Sequence, residues 1–153
     1  MKKMMLWAAF SLFLTPIAQA SEYPEWLLGV LRVENPGKLL YWSSVDRECG
    51  ITESRFNEVI EEAFTKNRVR PIKVDDDSPN NLTLNISTYC VKDGSDYIFT
   101  NKVRFGKYDA DWAPFSYDYP FGQFGSVKKR DIYTSIKEDI DDALDAFIES
   151  NFQ

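Results

Sequence analysis

An aromatic segment between residues 109 and 125, DADWAPFSYDYPFGQFG, carries the side chains of this chain that are best suited to binding. It sets one Trp, two Tyr and three Phe among Gly, Pro and Asp residues, which interrupt helices and strands. Aromatic rings bury a large area, and they can stack on sugar faces or anchor a protein partner. The binding candidates in this segment are Trp112, Phe115, Tyr117, Tyr119 and Phe121.

The same segment can instead act as a lid over a hydrophobic core. A sheet that carries helices on one face leaves its other face to be covered, and aromatic side chains suit that purpose. Gly122 and Gly125 would let the segment fold tightly back onto the domain. The two interpretations differ in whether the rings are exposed, and we expect mostly a lid with an exposed edge.

Three consecutive basic residues, Lys128, Lys129 and Arg130, follow the aromatic segment and precede a predicted helix. The dipole of a helix disfavours positive charge at its N-terminus. If Asp131 caps the helix, the three residues lie outside it and form an ordinary solvated turn. The alternative is that this basic cluster binds an anionic ligand or partner beside the aromatic segment.

Catalysis finds little support in the sequence. The chain has no histidine, which removes the Ser-His and Cys-His nucleophiles and the usual zinc ligand sets. A phosphate-binding glycine loop is absent as well. Carboxylate catalysis, as in glycoside hydrolysis, would need two acids facing each other across a cleft, and the acids do not look arranged for that. We therefore predict a protein that is not an enzyme, with no catalytic residue, cofactor or metal.

Two groups of acidic residues have non-catalytic interpretations. Asp75, Asp76 and Asp77 are consecutive, whereas a calcium loop needs acids at alternate positions, so a solvated turn is favoured over a weak calcium site. Acids of the last predicted helix share one face, because they are three or four residues apart. That face is either the solvated side of the helix or a docking surface for a basic partner. Its members are Glu138, Asp142, Asp145 and Glu149.

Cys49 and Cys90 are the two cysteines of the chain. In an oxidising compartment an even pair predicts one disulfide, and the wide spacing and missing histidine argue against a redox or metal site. Closing a loop of this length is worth about 4 kcal/mol through the chain entropy of the unfolded state. We expect the bridge to pin the start of the first predicted amphipathic helix to the middle of the sheet.

Two amphipathic helices are predicted from the spacing of apolar residues. Between Thr52 and Asn67 such residues recur every three or four positions, and Thr52 or Ser54 can cap the start. A second helix is predicted from Asp131 to Asn151, where one apolar stripe is flanked by charged residues. Both patterns are typical of helices that bury one side.

A change of period to two predicts strands. Residues Leu82 to Cys90 and Tyr97 to Phe105 alternate apolar and polar side chains on either side of a turn, which is typical of a long β-hairpin. Val69 to Val74 is a shorter strand, and Leu39 to Val45 is another. The segment 26–34 fits either a helix or a strand.

The fold predicted from these elements is α+β. It has an antiparallel sheet of about four to five strands, with two amphipathic helices packed on one face and one disulfide. Residues 21–153 form a single domain of this kind. An exposed edge at Val69 to Val74 or at Tyr97 to Phe105 would make a homodimer easy to form.

The first twenty residues, MKKMMLWAAFSLFLTPIAQA, have the layout of a signal peptide. Lys2 and Lys3 precede an apolar stretch that is too short to span a membrane, and the stretch is followed by small residues ending at Ala20. Cleavage after Ala20 would leave a soluble periplasmic or secreted protein that does not span the membrane.

Charge narrows the choice of partner. The chain has 18 basic and 24 acidic residues, a net charge of −6, and loss of Lys2 and Lys3 with the signal peptide would change this to −8. Such a charge disfavours nucleic acid, which proteins bind by neutralising phosphates with Lys and Arg. The remaining candidates are a protein or a glycan of the cell envelope.

Two functions are consistent with these features. The leading hypothesis is a non-enzymatic exported protein that acts as a macromolecular binding or accessory module. Within that class, an acidic domain of this size suits an inhibitor or immunity-type protein that blocks a basic partner, because complementary charge speeds association. The alternative is a glycan-binding or peptidoglycan-binding protein that uses the aromatic loop 109–125.

Overall fold

Three α-helices and six strands make up the computed structural model, which describes residues 21–74, 81–108 and 114–153. The helices are α1 (Glu25–Leu31), α2 (Glu53–Lys66) and α3 (Ile132–Phe152). The strands are β1 (Lys38–Val45), β2 (Arg70–Lys73), β3 (Leu82–Asp93), β4 (Asp96–Tyr108), β5 (Pro114–Ser116) and β6 (Phe124–Lys128). Within these ranges, none of the helices is long and apolar enough to cross a membrane. The predicted signal peptide, the acidic turn at 75–77 and Trp112 lie outside the described residues.

The strands form one mixed sheet in the order β2-β1-β3-β4, and β5 and β6 both pair with the far side of β4. β3 and β4 form the predicted antiparallel hairpin. β1 runs parallel to β2 and to β3. β2 runs parallel to β1 because α2 lies between the two strands in the sequence and returns the chain to the end of the sheet where β1 begins. The α+β class is confirmed, and the antiparallel arrangement holds for the described strand pairs that do not involve β1.

Local sequence explains where α2 begins and which side it buries. The hydroxyl of Thr52 accepts a hydrogen bond from the backbone N–H of Arg55 at 3.3 Å, so Thr52 and not Ser54 is the cap. The apolar stripe of the helix is buried, as its period predicts. Its members are Phe56, Val59, Ile60, Ala63 and Phe64.

The other two helices refine the prediction. The ambiguous segment at 26–34 begins as helix α1, and the backbone becomes extended at Arg32. α3 follows its predicted range, and its apolar stripe packs against α1, α2 and β4. Asp131 is at the N-cap position of α3, but its side chain makes no capping hydrogen bond. The reason is that Asp131 already has helical backbone angles, as part of the 3₁₀ turn Lys129–Asp131.

The core lies between the helices and one face of the sheet. Alternate residues of β3 and β4 point into it, and Leu84, Ile86 and Val103 are completely buried there. Cys49 and Cys90 form the predicted disulfide, which joins the turn before α2 to β3. Both cysteines are buried, so the bridge is part of the core and ties a helix to the sheet, as expected.

The edges of the sheet differ from those expected. β4 is paired on both sides, so the edge from Tyr97 to Phe105 that was expected to allow a dimer is not free. β2 does lie at an edge, where the N–H groups of Arg70 and Val74 donate toward β1. Pro71 lies between them and has no N–H to offer on the outward side, which makes this edge a poor template for another strand.

Candidate binding surface

From Pro114 onward, the aromatic segment returns along β4. β5 pairs with one end of β4 and β6 pairs with the other. From Ser116 to Phe124 the returning chain takes eight steps, while β4 takes six between their partners Gly106 and Thr100. Two extra residues therefore form a bulge between β5 and β6.

A close approach of two backbones fixes this bulge. The N–H of Phe121 donates to the carbonyl of Val103 at 3.1 Å, and the N–H of Asn101 donates to the carbonyl of Gln123 at 2.8 Å. Gly122 lies between these two bonds, where a Cβ atom would be 1.8 Å from the Asn101 carbonyl oxygen. The position therefore has room for glycine alone, as the sequence suggested for this segment.

Phe121 points into the core and is not available to a ligand. It is 5% exposed, and its ring centre lies 5.7 Å from that of Phe105 and 4.8 Å from that of Tyr119. Tyr117 and Tyr119 are partly buried against the same core. Phe115 is placed through its backbone, which pairs with β4 in β5. The lid interpretation thus describes residues 117–121, and the burial of the Phe121 ring favours that interpretation over a binding role for this residue.

A buried polar network ties the bulge to α3. The carboxylate of Asp139 accepts hydrogen bonds from the side-chain amides of Asn101 at 2.6 Å and Gln123 at 2.9 Å. The hydroxyl of Thr88 donates to the amide oxygen of Asn101 at 2.8 Å. Asp139 is 6% exposed, and burial raises the pKa of its carboxyl to about 6, although the two amide donors act in the opposite direction. Sequence reasoning did not find this network, because its members lie on four separate segments.

The basic cluster does not converge on one site. Lys128 ends β6 on the face of the sheet away from the helices. The ammonium of Lys129 lies over Gly50, near the start of α2, and the guanidinium of Arg130 pairs with the adjacent carboxylate at 3.4 Å. All three residues are exposed. The structure therefore separates these three cations, and of the three only Lys128 lies on the face of the sheet opposite the helices.

A different exposed surface covers the face of the sheet opposite the helices. Alternate residues of β1, β3, β4 and β6 point there, and five of them are large apolar side chains open to solvent. We call these five and the polar residues among them the platform. The apolar members are Trp42 (40% exposed), Tyr89 (50%), Val91 (60%), Ile98 (36%) and Phe124 (75%). The polar members are Ser44, Asn85, Ser87, Thr100, Lys102, Arg104, Ser126 and Lys128.

The strand register brings four of the apolar side chains together. Tyr89, Thr100 and Phe124 lie side by side on β3, β4 and β6. Val91 lies opposite Ile98 in the next row of the same face. Directly opposed Cβ atoms of antiparallel strands are about 5 Å apart. The four apolar side chains therefore form a patch of two adjacent rows, in which Val91 and Ile98 are direct neighbours and Thr100 lies between Tyr89 and Phe124.

Cationic and polar side chains separate this patch from Trp42. The ammonium of Lys102 lies 5.7 Å from the centre of the Tyr89 ring, within the range of a cation–π contact. Trp42 shares its row with Asn85 and Arg104. The guanidinium Nε of Arg104 is buried and makes no hydrogen bond in the part of the chain that the structure describes. The platform thus alternates rings with cations.

The two faces of the molecule carry opposite charge. α2 contains four acidic and two basic residues, and α3 contains six acidic residues and one basic residue. Among the described strand residues on the opposite face of the sheet, the cations outnumber the acids, which lie at the turn of the β3–β4 hairpin. The cations are Lys38, Arg70, Lys102, Arg104 and Lys128, and the acids are Asp93 and Asp96. The protein therefore has a negative net charge but a sheet face whose described strand residues are mainly basic.

The acidic face predicted on the last helix is present. Glu138, Asp142 and Asp145 are exposed on α3, and Glu149 is half-buried. Asp142 accepts a hydrogen bond from the hydroxyl of Tyr23 at 2.7 Å, so one of the four also ties the N-terminal segment to α3. The remaining carboxylates keep a negative surface on the helical side of the molecule.

The platform has a sequence signal that sequence reasoning did not use. Tyr89 falls in the outward phase of its strand, together with Asn85 and Ser87. Val91 and Ile98 continue this phase on either side of the hairpin turn. Large apolar residues in the phase that is otherwise polar are the feature that identifies an exposed binding face.

Hydrolytic catalysis would need either a group of metal ligands or a facing pair of carboxylates. In residues 21–74, 81–108 and 114–153, no three His, Cys, Asp or Glu side chains are grouped to hold a metal. Two open clefts have volumes of about 430 and about 500 Å³. Among the described residues that line them, each cleft has a single acid, Glu53 in one and Glu34 in the other. Glycoside hydrolysis needs a facing pair of carboxylates, which neither set of lining residues supplies.

Comparison with known proteins gives little. No family profile matches the chain, and no curated protein matches it. Among solved structures, the chain is similar to a minor lipoprotein from Acinetobacter baumannii with a TM-score of 0.34 and 11% sequence identity. The alignment covers 72% of this chain and 90% of the lipoprotein. At this level of similarity we transfer no function.

Proposed function

We propose that the chain is an exported binding protein of the cell envelope, which acts by contact and neither makes nor breaks bonds. The platform is its contact surface, and its partner is a macromolecule. The observation that carries this proposal is the exposure of five large apolar side chains of the described strands on the face of the sheet opposite the helices.

The energetics of apolar exposure favour a covered platform. Covering a ring such as Tyr89 or Phe124 removes apolar area from water, which contributes about 25 cal/mol for each Å². Polar side chains on the same face would avoid this exposure without any cost to the core, because the core lies on the other side of the sheet. Exposed apolar patches with a polar rim are typical of interaction sites.

Other features support export and contact. The N-terminal pattern is that of a signal peptide, and a buried disulfide suits an oxidising compartment. The lack of histidine and the single acid at each cleft favour binding over catalysis. The aromatic loop at 109–125 is the weaker contact surface, because Phe121 is buried and Tyr117 and Tyr119 pack against the core.

A second candidate function uses the opposite side of the molecule. The acids of α2 and α3 would dock a basic partner, as an inhibitor or immunity-type protein does. Ion pairs within the protein use part of this charge, because Lys66 pairs with Asp141 at 2.6 Å and Arg55 pairs with Glu58 at 2.9 Å. The acidic side chains are hydrated in water, whereas the exposed apolar side chains of the platform gain free energy when a partner removes them from water. We therefore favour the platform.

Photo-crosslinking from single positions distinguishes the two surfaces. A benzophenone amino acid replaces Tyr89 or Phe124 on the platform, and Glu58 or Glu138 on the helical side. Each variant is expressed in the cells that make the protein and is irradiated in place. We expect crosslinked species from Tyr89 and Phe124, and none from the two glutamate positions.

The opposite pattern would overturn the proposal. Crosslinks from Glu58 and Glu138 alone would support the inhibitor-type function through the acidic face. A platform that yields no crosslinks in intact envelopes would show that these exposed rings have no partner. Thermal unfolding of each purified variant shows whether the fold is retained, and all four sites are exposed.

A further inference from the structure

We infer that the partner of the platform is an acidic polysaccharide. This inference rests on the proposed function, because it names the chemical class of the macromolecule that the platform holds. Three observations lead to it: the charge of the platform, the spacing of its rings, and the short polar side chains between the rings.

Charge complementarity selects an anionic partner. Lys102 lies beside the Tyr89 ring at the centre of the platform, and Arg104 and Lys128 lie in rows on either side of it. The acids of the described strands on this face, Asp93 and Asp96, lie at the hairpin turn, where Asp96 is opposite Lys128, so Lys102 and Arg104 are the cations farther from an acid. The helical side is acidic and repels the same partner, so a polyanion is directed to the sheet face.

The rings are spaced for a flat, extended polymer. Tyr89 and Phe124 lie on strands separated by β4, so their backbones are about 10 Å apart. Trp42 lies four residues along the sheet from the Tyr89 row, which is about 13 Å. Such a row of separated rings suits a chain of stacked pyranoses, whereas a protein partner is typically anchored by side chains that enter central pockets.

The polar residues of the platform also suit a polysaccharide. Hydroxyl groups occupy the places between the rings, and they can exchange hydrogen bonds with sugar hydroxyls. The residues that carry them are Ser44, Ser87, Thr100 and Ser126.

The test compares a polymer that has both sugars and negative charge with polymers that lack one of these two features or carry phosphates and bases. Isothermal titration of the mature protein uses polygalacturonate, which is an acidic polysaccharide, and dextran, which is a neutral one. Poly-L-glutamate supplies carboxylates without sugars, and oligothymidylate supplies stacking bases with phosphates. We expect measurable binding of polygalacturonate, at least tenfold weaker binding of the other three, and weakening by added salt.

Paired variants locate the binding. Tyr89→Ala and Trp26→Ala each remove a ring that is 50% exposed, but Trp26 lies on α1, away from the platform. Lys102→Gln and Lys137→Gln each remove one ammonium, and Lys137 lies on α3, where it is half-buried and pairs with Glu62 at 3.7 Å. We expect each platform variant to weaken polygalacturonate binding about tenfold and each control variant to leave it unchanged.

Each remaining outcome overturns the inference in a distinct way. Equal binding of poly-L-glutamate would mean that carboxylate charge alone is recognised, and equal binding of dextran would mean that charge is not needed. Tighter binding of oligothymidylate would assign the platform to nucleic acid. If none of the polymers binds but crosslinks still form from Tyr89, the polysaccharide is wrong while the proposed function stands. If both fail, both are wrong.

Discussion

At the scale of single residues, Asp139 makes stability depend on pH. Burial raises the pKa of its carboxyl to about 6, whereas an unfolded chain loses that proton near pH 4. Between these values the folded state holds a proton that the unfolded state has released. The free energy of unfolding therefore falls as pH rises from about 4 to about 6, by about 2 kcal/mol from this group.

Asp139→Asn tests this contribution, because the amide has nearly the same shape and does not titrate. Urea unfolding at pH 4.5 and at pH 7 measures the free energy of unfolding of both proteins. We expect the natural protein to lose more stability than the variant between these two values. An identical pH dependence in the two proteins would show that the Asp139 carboxyl is not the titrating group.

Gly122 is the residue on which the path of the returning chain depends. A Cβ atom there would be 1.8 Å from the Asn101 carbonyl oxygen, so Gly122→Ala must push the bulge off β4. We expect a loss of about 2 kcal/mol or more, measured by urea unfolding. Gly125→Ala is the matched control, because its Cβ would meet the Phe99 ring at an ordinary 3.7 Å. Equal effects of the two changes would contradict the close approach.

At the scale of elements, the disulfide connects α2 to the sheet. Cys49 and Cys90 are 41 residues apart, and crosslinking such a loop stabilises a fold by about 4 kcal/mol through the unfolded state. We expect a reducing agent to lower the unfolding temperature of the natural protein. The double variant Cys49→Ala/Cys90→Ala should unfold near the reduced protein and should not respond to the reagent. An unchanged unfolding temperature after confirmed reduction would contradict this role.

The elements also show what sequence could and could not predict. α2, α3 and the β3–β4 hairpin follow from the spacing of apolar residues, because each buries one side against a single core. The parallel pairing of β1 does not follow, because pairing depends on where distant segments meet. The burial of Phe121 depends on the close backbone contact at Gly122. In the sequence, this glycine indicates only that the chain can turn there, and not what it contacts.

At the scale of the whole molecule, the distribution of charge matters more than its sum. A net charge of −6 predicts an acidic protein that repels polyanions. The fold instead gathers acids on the helices and leaves Lys102, Arg104 and Lys128 on the opposite face, beside exposed rings. The alternation along β4 already places Lys102 and Arg104 in its outward phase, whereas the packing of the acidic helices against the other face depends on the fold and does not follow from the sequence alone. The result is a molecule with one face suited to contact.

The most direct test of this account is crosslinking from Phe124, the most exposed platform ring at 75%, compared with crosslinking from Glu58 on α2. Both positions are irradiated in intact cells, and the products are compared by mass. The account predicts a crosslinked species from Phe124 and none from Glu58. Crosslinks from Glu58 without any from Phe124 would contradict it.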